Sequence, residues 1–327
     1  MKKRRKSVYS RIGGQAVLEG IMMKNKNTYS VAVRLPDGKI VVDKQDVSDS
    51  PAGGVLGKIP FIRGIFNFVD SLVLGMKTLT YSASFYEEEE ETKADGLLNK
   101  IFKEKTEDVV MGFTVFVSIL LAIGLFMFLP YFISELAAKW ISNDSLIAII
   151  EGVVRIVIFL LYVVLISLMK DIKRLYQYHG AEHKCINCIE SGRTLTVRNV
   201  MYCSRLHRRC GTSFMPIVMC ISIILFFFIR TDSMVLRMVY RLLLIPVIAG
   251  ISYEILRLGG KSDNIFVRII SAPGMWLQRL TTREPEPEMV EVAIAAIEKV
   301  FDWEKFEEKN FGRKADAMEM KEGQDLE

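Results

Sequence analysis

Apolar positions run almost unbroken through four stretches of this chain, and the polar residues return in blocks between them. Val109 to Ile133 contains no charge, and Leu146 to Met169 carries only Glu151 and Arg155. Each is long enough to cross a hydrocarbon core of about 30 Å as a helix. Glu151 and Arg155 stand four apart with the acid first, so one helix face can hold them as a pair. A shorter apolar run covers Ser213 to Ile229, and a fourth extends from about Met234 to Leu256 with Arg237 and Arg241 in its first half. That last run crosses a membrane only if its arginines snorkel or pair with Glu151. The pattern predicts an α-helical multipass membrane protein with about four transmembrane helices, paired within 109–169 and 213–258.

The flanking segments follow other periods. In residues 1–52, "TYSVAVRL" and "KIVVDKQDV" are β-rich and joined by "PDG", where Pro presets a turn and Gly tolerates positive φ; this predicts a small N-terminal β-hairpin element. Residues 53–108 are expected to form an amphipathic helix and an acidic linker. Phe61, Ile65, Phe68, Val69, Leu72 and Met76 recur at helical spacing, among Lys58, Arg63, Asp70 and Lys77. Such a helix suits a membrane surface or the core of a soluble subdomain. The run Glu87 to Glu91 reads as solvated linker. Residues 259–327 are expected to hold a short cytoplasmic helix, "EPEPEMVEVAIAAIEKVFDW", and a tail.

Charge orients this arrangement. Residues 170–212 are dense in lysine and arginine, whereas "SELAAKWISNDS" has one lysine, so the positive-inside rule places 170–212 and both termini in the cytoplasm. Half of the residues are apolar while 25% are charged, which suits a membrane protein with substantial water-facing parts. A net charge of +5 without an extended basic face argues against nucleic acid as a partner. The expected partners are the lipid bilayer and other membrane proteins. "MKKRRKSVYS" lacks the apolar stretch of a signal peptide, and an odd cysteine count argues for reduced thiols.

Candidate chemistry concentrates in the basic segment. All three histidines lie there, with every cysteine but one, in "YHGAEHKCINCIE" and "YCSRLHRRCGTSF". Imidazole and thiolate are the ligands zinc takes, and two geometries fit. In the first, His179 and His183 of H-x-x-E-H face the same way on a helix and reach one ion. Glu182 stands beside them as a general base, and a third ligand comes from His207, Cys210 or Glu254. In the second, Cys185-x-x-Cys188 and His207-x-x-Cys210 close a structural tetrahedral site, with Cys203 a further thiol in the same window. Spacing alone leaves both open.

"GGQAVLEGIMMK", "YHGAEHK", "HRRCGTSF", "PVIAGISYEILRL" and "PGMWLQRLTTREP", in that order, resemble the YqhQ family, bacterial multipass membrane proteins described as predicted metal-dependent enzymes. The resemblance runs from about Gly13 to about Ile297. It implies the histidine site and carries over to His179, Glu182, His183, His207, Cys210 and Glu254, with Gly14, Gln15 and Glu19 near the start. Gln15 and Glu19 are then expected to support the cluster. Cys185, Cys188 and Cys203 lie outside its motifs, and Arg208 stands where a proline is expected; extra cysteines would only supplement the site.

The resulting expectation is a zinc-dependent enzyme of hydrolytic type, acting at the cytoplasmic face of the bacterial inner membrane from a metal-binding loop, with Glu182 catalytic. The alternative is a non-catalytic partner in membrane-protein assembly, translocation or quality control, whose metal staples that loop.

Overall fold

The computed structural model describes residues 8–47, 59–86, 107–229, 231, 233–259 and 265–312. The acidic run Glu87 to Glu91, Lys58 and most of the basic N-terminus lie outside the described residues. Two units are distinguished: residues 1–86, 166–221 and 242–327 form one, and residues 87–165 and 222–241 the other.

In the first unit the chain begins as a meander of four antiparallel strands, β1 (Gly13–Val17), β2 (Gly20–Asn25), β3 (Thr28–Arg34) and β4 (Ile40–Asp46). The expected single hairpin is β3–β4, and Gly38 at φ 87° makes its turn. The sequence reading missed the hairpin before it. Glycines at both ends of "GGQAVLEG" interrupt the alternation that marks a strand, yet Val17 pairs with Gly20 across a two-residue turn whose Glu19 has φ 47°.

The sheet has helices on both faces. Ile21, Met23 and Ala32 enter a core shared with α5 (Lys170–Glu190) and α10 (Pro287–Val300). Met22, Val31 and Val33 face the other way, toward Leu74 and Tyr81 of α1 (Ile62–Ala83). Two expectations change here. Residues 170–212 are not a loop: α5 covers the first half, and α6 (Val197–Met201) packs back on it. The helix after the two prolines is a core element, burying Met289, Val290, Val292, Ala293, Ala296 and Ile297 against sheet and α5. Its apolar residues recur at three- and four-residue intervals, the stripe of a helix packed along one side. The chain closes with α11 (Trp303–Phe311).

The second unit is helical. α2 (Glu107–Ile123) passes through a π-helical turn at Gly124–Phe128 into α3 (Leu129–Ala138), and α4 spans Asp144–Ile166. α7 (Phe214–Phe227) and α8 (Met234–Gly259) are each divided between the two units, and α9 (Ile265–Thr281) belongs to the first. Among the described residues three helices are long and apolar enough to cross a membrane: Gly112–Ala138, Asp144–Ile166 and Met234–Leu258. Of the expected spans, the third is a shorter apolar helix, Gly211–Phe227, and the charged fourth run is a long helix that continues through Pro246. Its charge is accommodated inside the second unit. Arg155 Nη2 donates to Glu151 Oε1 at 2.6 Å and Arg241 Nη2 to Glu151 Oε2 at 2.7 Å, and both guanidiniums lie over the Phe226 ring. Arg155 Nε also donates to the carbonyl of Phe126 in the π-turn, at 3.2 Å.

Candidate metal centre

The helical spacing of "HGAEH" stacks His179 and His183 one turn apart on α5, with ring centroids 4.4 Å apart. Each ring is fixed through Nδ1: His179 to the carbonyl of Thr281 at 2.9 Å, His183 to the carbonyl of Arg205 at 2.7 Å. A carbonyl only accepts, so both Nδ1 atoms carry the proton and both Nε2 atoms present a lone pair. This is the tautomer a metal-binding imidazole needs, imposed from its far side. His183 Nε2 is buried and makes no hydrogen bond among the described residues. Burial pushes the His183 pKa down, against an opposing pull from the Cys210 thiol, which sits outside hydrogen-bonding geometry.

Cys210 reaches these nitrogens because its segment is clamped. The fully buried Gln278 on α9 accepts from the His207 backbone N–H at 2.9 Å and donates to the His207 carbonyl at 2.8 Å and to Ser213 Oγ at 3.1 Å. The intervening turn points Cys210 Sγ at His179 Nε2, 3.1 Å away, and the Thr212 N–H donates to the sulfur at 3.4 Å. One donor atom from each of His179, His183 and Cys210 lies within 4.8 Å of the other two, and all three residues are buried. Ligands around a tetrahedral zinc at about 2.0–2.3 Å stand roughly 3.2–3.8 Å from one another, so small rotamer adjustments suffice.

Glu182 lies beside this trio, and burial raises its carboxyl pKa above the ordinary value, with the neighbouring His179 and the Gly14 N–H opposing. Its Oε2 has no hydrogen-bond partner among the described residues. Gly14 is glycine for a steric reason: a Cβ there would stand 2.6 Å from the Met22 carbonyl oxygen and 3.1 Å from Glu182 Cδ. His179, Glu182, Cys210, Gly14 and Gln15 line a cleft of about 630 Å³. His179 and Cys210 are therefore buried at the wall of an open space, with His183 behind them.

The other predicted residues are placed elsewhere. His207 turns its Nε2 to Glu190 Oε2 at 3.4 Å, and that carboxylate also accepts from Ser10 and Arg209. Glu254 pairs with Arg63 of α1, whose Nε donates to Oε1 at 2.6 Å. Cys185 and Cys188 are buried in the core formed with α10. Burial pushes the Cys185 thiol well up; the neighbouring Cys203 thiol, followed by burial, does the same for Cys188. Neutral thiols in an apolar core behave as small hydrophobes. Glu19 is engaged by Arg174 and by the Tyr178 hydroxyl at 3.2 Å. Gln15 lines the cleft with its amide against Gly75 of α1. The orienting residues Thr281, Arg205 and Gln278 were missed, since two act through backbone carbonyls. Gln278 and Thr281 had a signal in their place in "PGMWLQRLTTREP", and Arg205 in "YCSRLHRRCGTSF".

A family described as "Protein of unknown function (DUF1385)" matches residues 59–303. The chain is 37% identical over 308 residues to "Uncharacterized protein YqhQ" of Bacillus subtilis (strain 168), covering 91% of this chain and 94% of that one. No solved structure matches.

Proposed function

The chain belongs to the DUF1385 family, and we propose that it is a membrane-embedded, zinc-dependent hydrolase. One observation carries the reading: two imidazoles locked in the ligand tautomer and one thiol converge beside a buried carboxylate, at the wall of a cleft. His179 Nε2, His183 Nε2 and Cys210 Sγ would hold the ion. Three protein ligands are the donor count of catalytic zinc sites, where structural sites have four. A zinc ion so held supplies Lewis acidity and lowers the pKa of water from 15.7 to about 7.

The chain's own residues do the rest. The Thr281 and Arg205 carbonyls hold the rings at fixed rotation, so neither ligand reorients during a turnover. Glu182 takes and returns a proton; its raised pKa brings it nearer the range in which a carboxyl does both at neutral pH. Glu182 Oε2 has no hydrogen-bond partner among the described residues and is free to work. Three spanning helices, with Gly211–Phe227 as a shorter fourth crossing, seat the enzyme in the bacterial inner membrane, and the basic excess of 170–212 puts the centre on the cytoplasmic side.

Elemental analysis of the purified, detergent-solubilised chain tests this, combined with a panel of fluorogenic carboxyl esters, phosphoesters and peptides. Wild type and Glu182→Gln should carry one zinc, and His183→Ala should lose it. Hydrolysis should fall by about 10²–10⁴-fold in Glu182→Gln. Full zinc with undiminished hydrolysis in Glu182→Gln would reduce the metal to a staple, and a metal-free wild type would remove the proposal.

A further inference from the structure

The cleft beside the trio is not neutral. Its lining includes Arg11, Lys24 and Lys26, and Glu182 is the one carboxylate among the lining residues. None of the three cations pairs with an acid among the described residues. Met22, Leu74 and Leu175 add an apolar wall, and about 630 Å³ falls within the usual range for small-molecule sites. Cations grouped at the mouth of a low-dielectric cleft raise the local concentration of anions.

The helix that supplies Leu74 and Ser71 to this cleft is built inside out. The residues α1 buries are Gly64, Gly75, Thr78 and Ser82, while Val69, Leu72, Val73, Met76 and Leu79 are exposed. In water that arrangement forfeits the burial of each large side chain, about 1.5–3 kcal/mol apiece. Against lipid it costs nothing, and small residues facing inward are how membrane-associated helices pack closely. Its N-terminal end is pinned to a spanning helix: a Cβ on Gly64 would meet Tyr253 and one on Gly250 would meet Phe61, and Arg63 pairs with Glu254. The cleft wall and a lipid-facing surface are thus two sides of one helix.

We propose that the cleft takes the phosphate-bearing head group of a membrane amphiphile, held by Arg11, Lys24 and Lys26, with its apolar portion leaving along α1. This names the substrate class of the proposed hydrolase and rests on that reading for its consequence, though the binding itself requires no metal. Phosphate is also available from soluble sources, and the lipid-facing side of α1 is what selects the amphiphile.

The test measures binding to the full-length chain in neutral detergent. Radiolabelled dioctanoyl phosphatidate is the probe, and dioctanoylglycerol, inorganic phosphate and a short acidic peptide are competitors. Phosphatidate should bind, and dioctanoylglycerol and inorganic phosphate should compete at least about tenfold more weakly. Replacing Arg11, Lys24 and Lys26 by Gln should weaken binding at least about tenfold. Lys24→Arg with Lys26→Arg should restore it, which guards against a misfolded triple variant. Equal competition by inorganic phosphate would assign the site to a soluble anion, by dioctanoylglycerol would remove the phosphate, and by the peptide would make the ligand a polypeptide; each overturns the proposal, as does unchanged binding in the triple variant. Binding that persists in His183→Ala with its metal lost separates the two readings, since each can then fail alone.

Discussion

Gly14→Ala probes the contact between sheet and carboxylate. Its Cβ would stand 2.6 Å from both the Met22 carbonyl oxygen and Met23 Sδ, and 3.1 Å from Glu182 Cδ. The Met23 side chain can rotate, but the Met22 carbonyl belongs to the strand paired with β1. Reaching ordinary contact near 3.4 Å requires β1 to shift by roughly 0.8 Å, which is overpacking and costs about 1–3 kcal/mol. Replacing glycine in a strand returns about 0.5–1 kcal/mol, so a net loss of about 0.5–2 kcal/mol remains. At about 2 °C per kcal/mol for a chain of this size, that corresponds to a melting temperature lower by about 1–4 °C. The same shift moves the Gly14 N–H relative to Glu182, so hydrolysis should fall while zinc stays, because no ligand comes from β1. Gly13→Ala is the control: a Cβ there meets nothing within 4 Å, and stability should be unchanged or slightly raised. Thermal unfolding, elemental analysis and the hydrolysis panel on both variants decide the matter. Gly14→Ala as stable and as active as Gly13→Ala would refute the contact, and loss of zinc in Gly14→Ala would refute the separation of base from ligands.

Three further outcomes follow from the same geometry. Cys188→Ser should leave zinc content unchanged, because its thiol points to the Arg193 and Thr194 carbonyls, whereas His179→Ala should lower occupancy strongly; the opposite pattern in elemental analysis would restore the four-ligand cysteine site. Glu254→Ala should keep its metal and lose only a little stability from the broken pair with Arg63, read by chemical denaturation; loss of metal would bring Glu254 into the centre. Burial alone would raise the Glu190 pKa, but the His207 hydrogen bond, the Arg209 charge and the Ser10 N–H outweigh it and hold the carboxyl below its usual 4.5. A depressed folded pKa gives stability that is present above 4.5 and lost as pH falls through the folded value. The stability gap between wild type and Glu190→Gln should therefore be full at pH 7 and shrink below about pH 4.5; a gap independent of pH would contradict the network.

What the sequence made legible depended on how local each signal is. Long uncharged runs announce spanning helices because a helix satisfies its own backbone hydrogen bonds in lipid, and His179 and His183 declare a shared face by spacing alone. The choice of Cys210 over three nearer or equally placed thiols was not local. It depends on Gln278, which holds both ends of the Cys210 turn from a helix some seventy residues on. Glu254 shows the same limit: its helical neighbour Arg257 was the obvious partner, yet the partner is Arg63, 191 positions away. The β1–β2 hairpin was hidden by glycines, and Gly14 is among them because the strand must pass so close to Glu182.

The helix α1 carries the argument furthest, because its period was readable and its polarity was not. Phe61, Ile65, Phe68, Val69, Leu72 and Met76 predict an amphipathic helix whichever side faces the protein. In a water-soluble fold the apolar side turns inward, and that prior favours a core helix. The packing reverses it: Gly64, Gly75, Thr78 and Ser82 face inward, where the Gly75 backbone lies against the Gln15 amide. A side chain at position 75 would first displace the Gln15 amide, which lines the cleft, so the glycine keeps that wall in place. The large apolar residues on the outer side of α1 are exposed, and on the proposed reading they form the surface along which an amphiphile would leave the cleft.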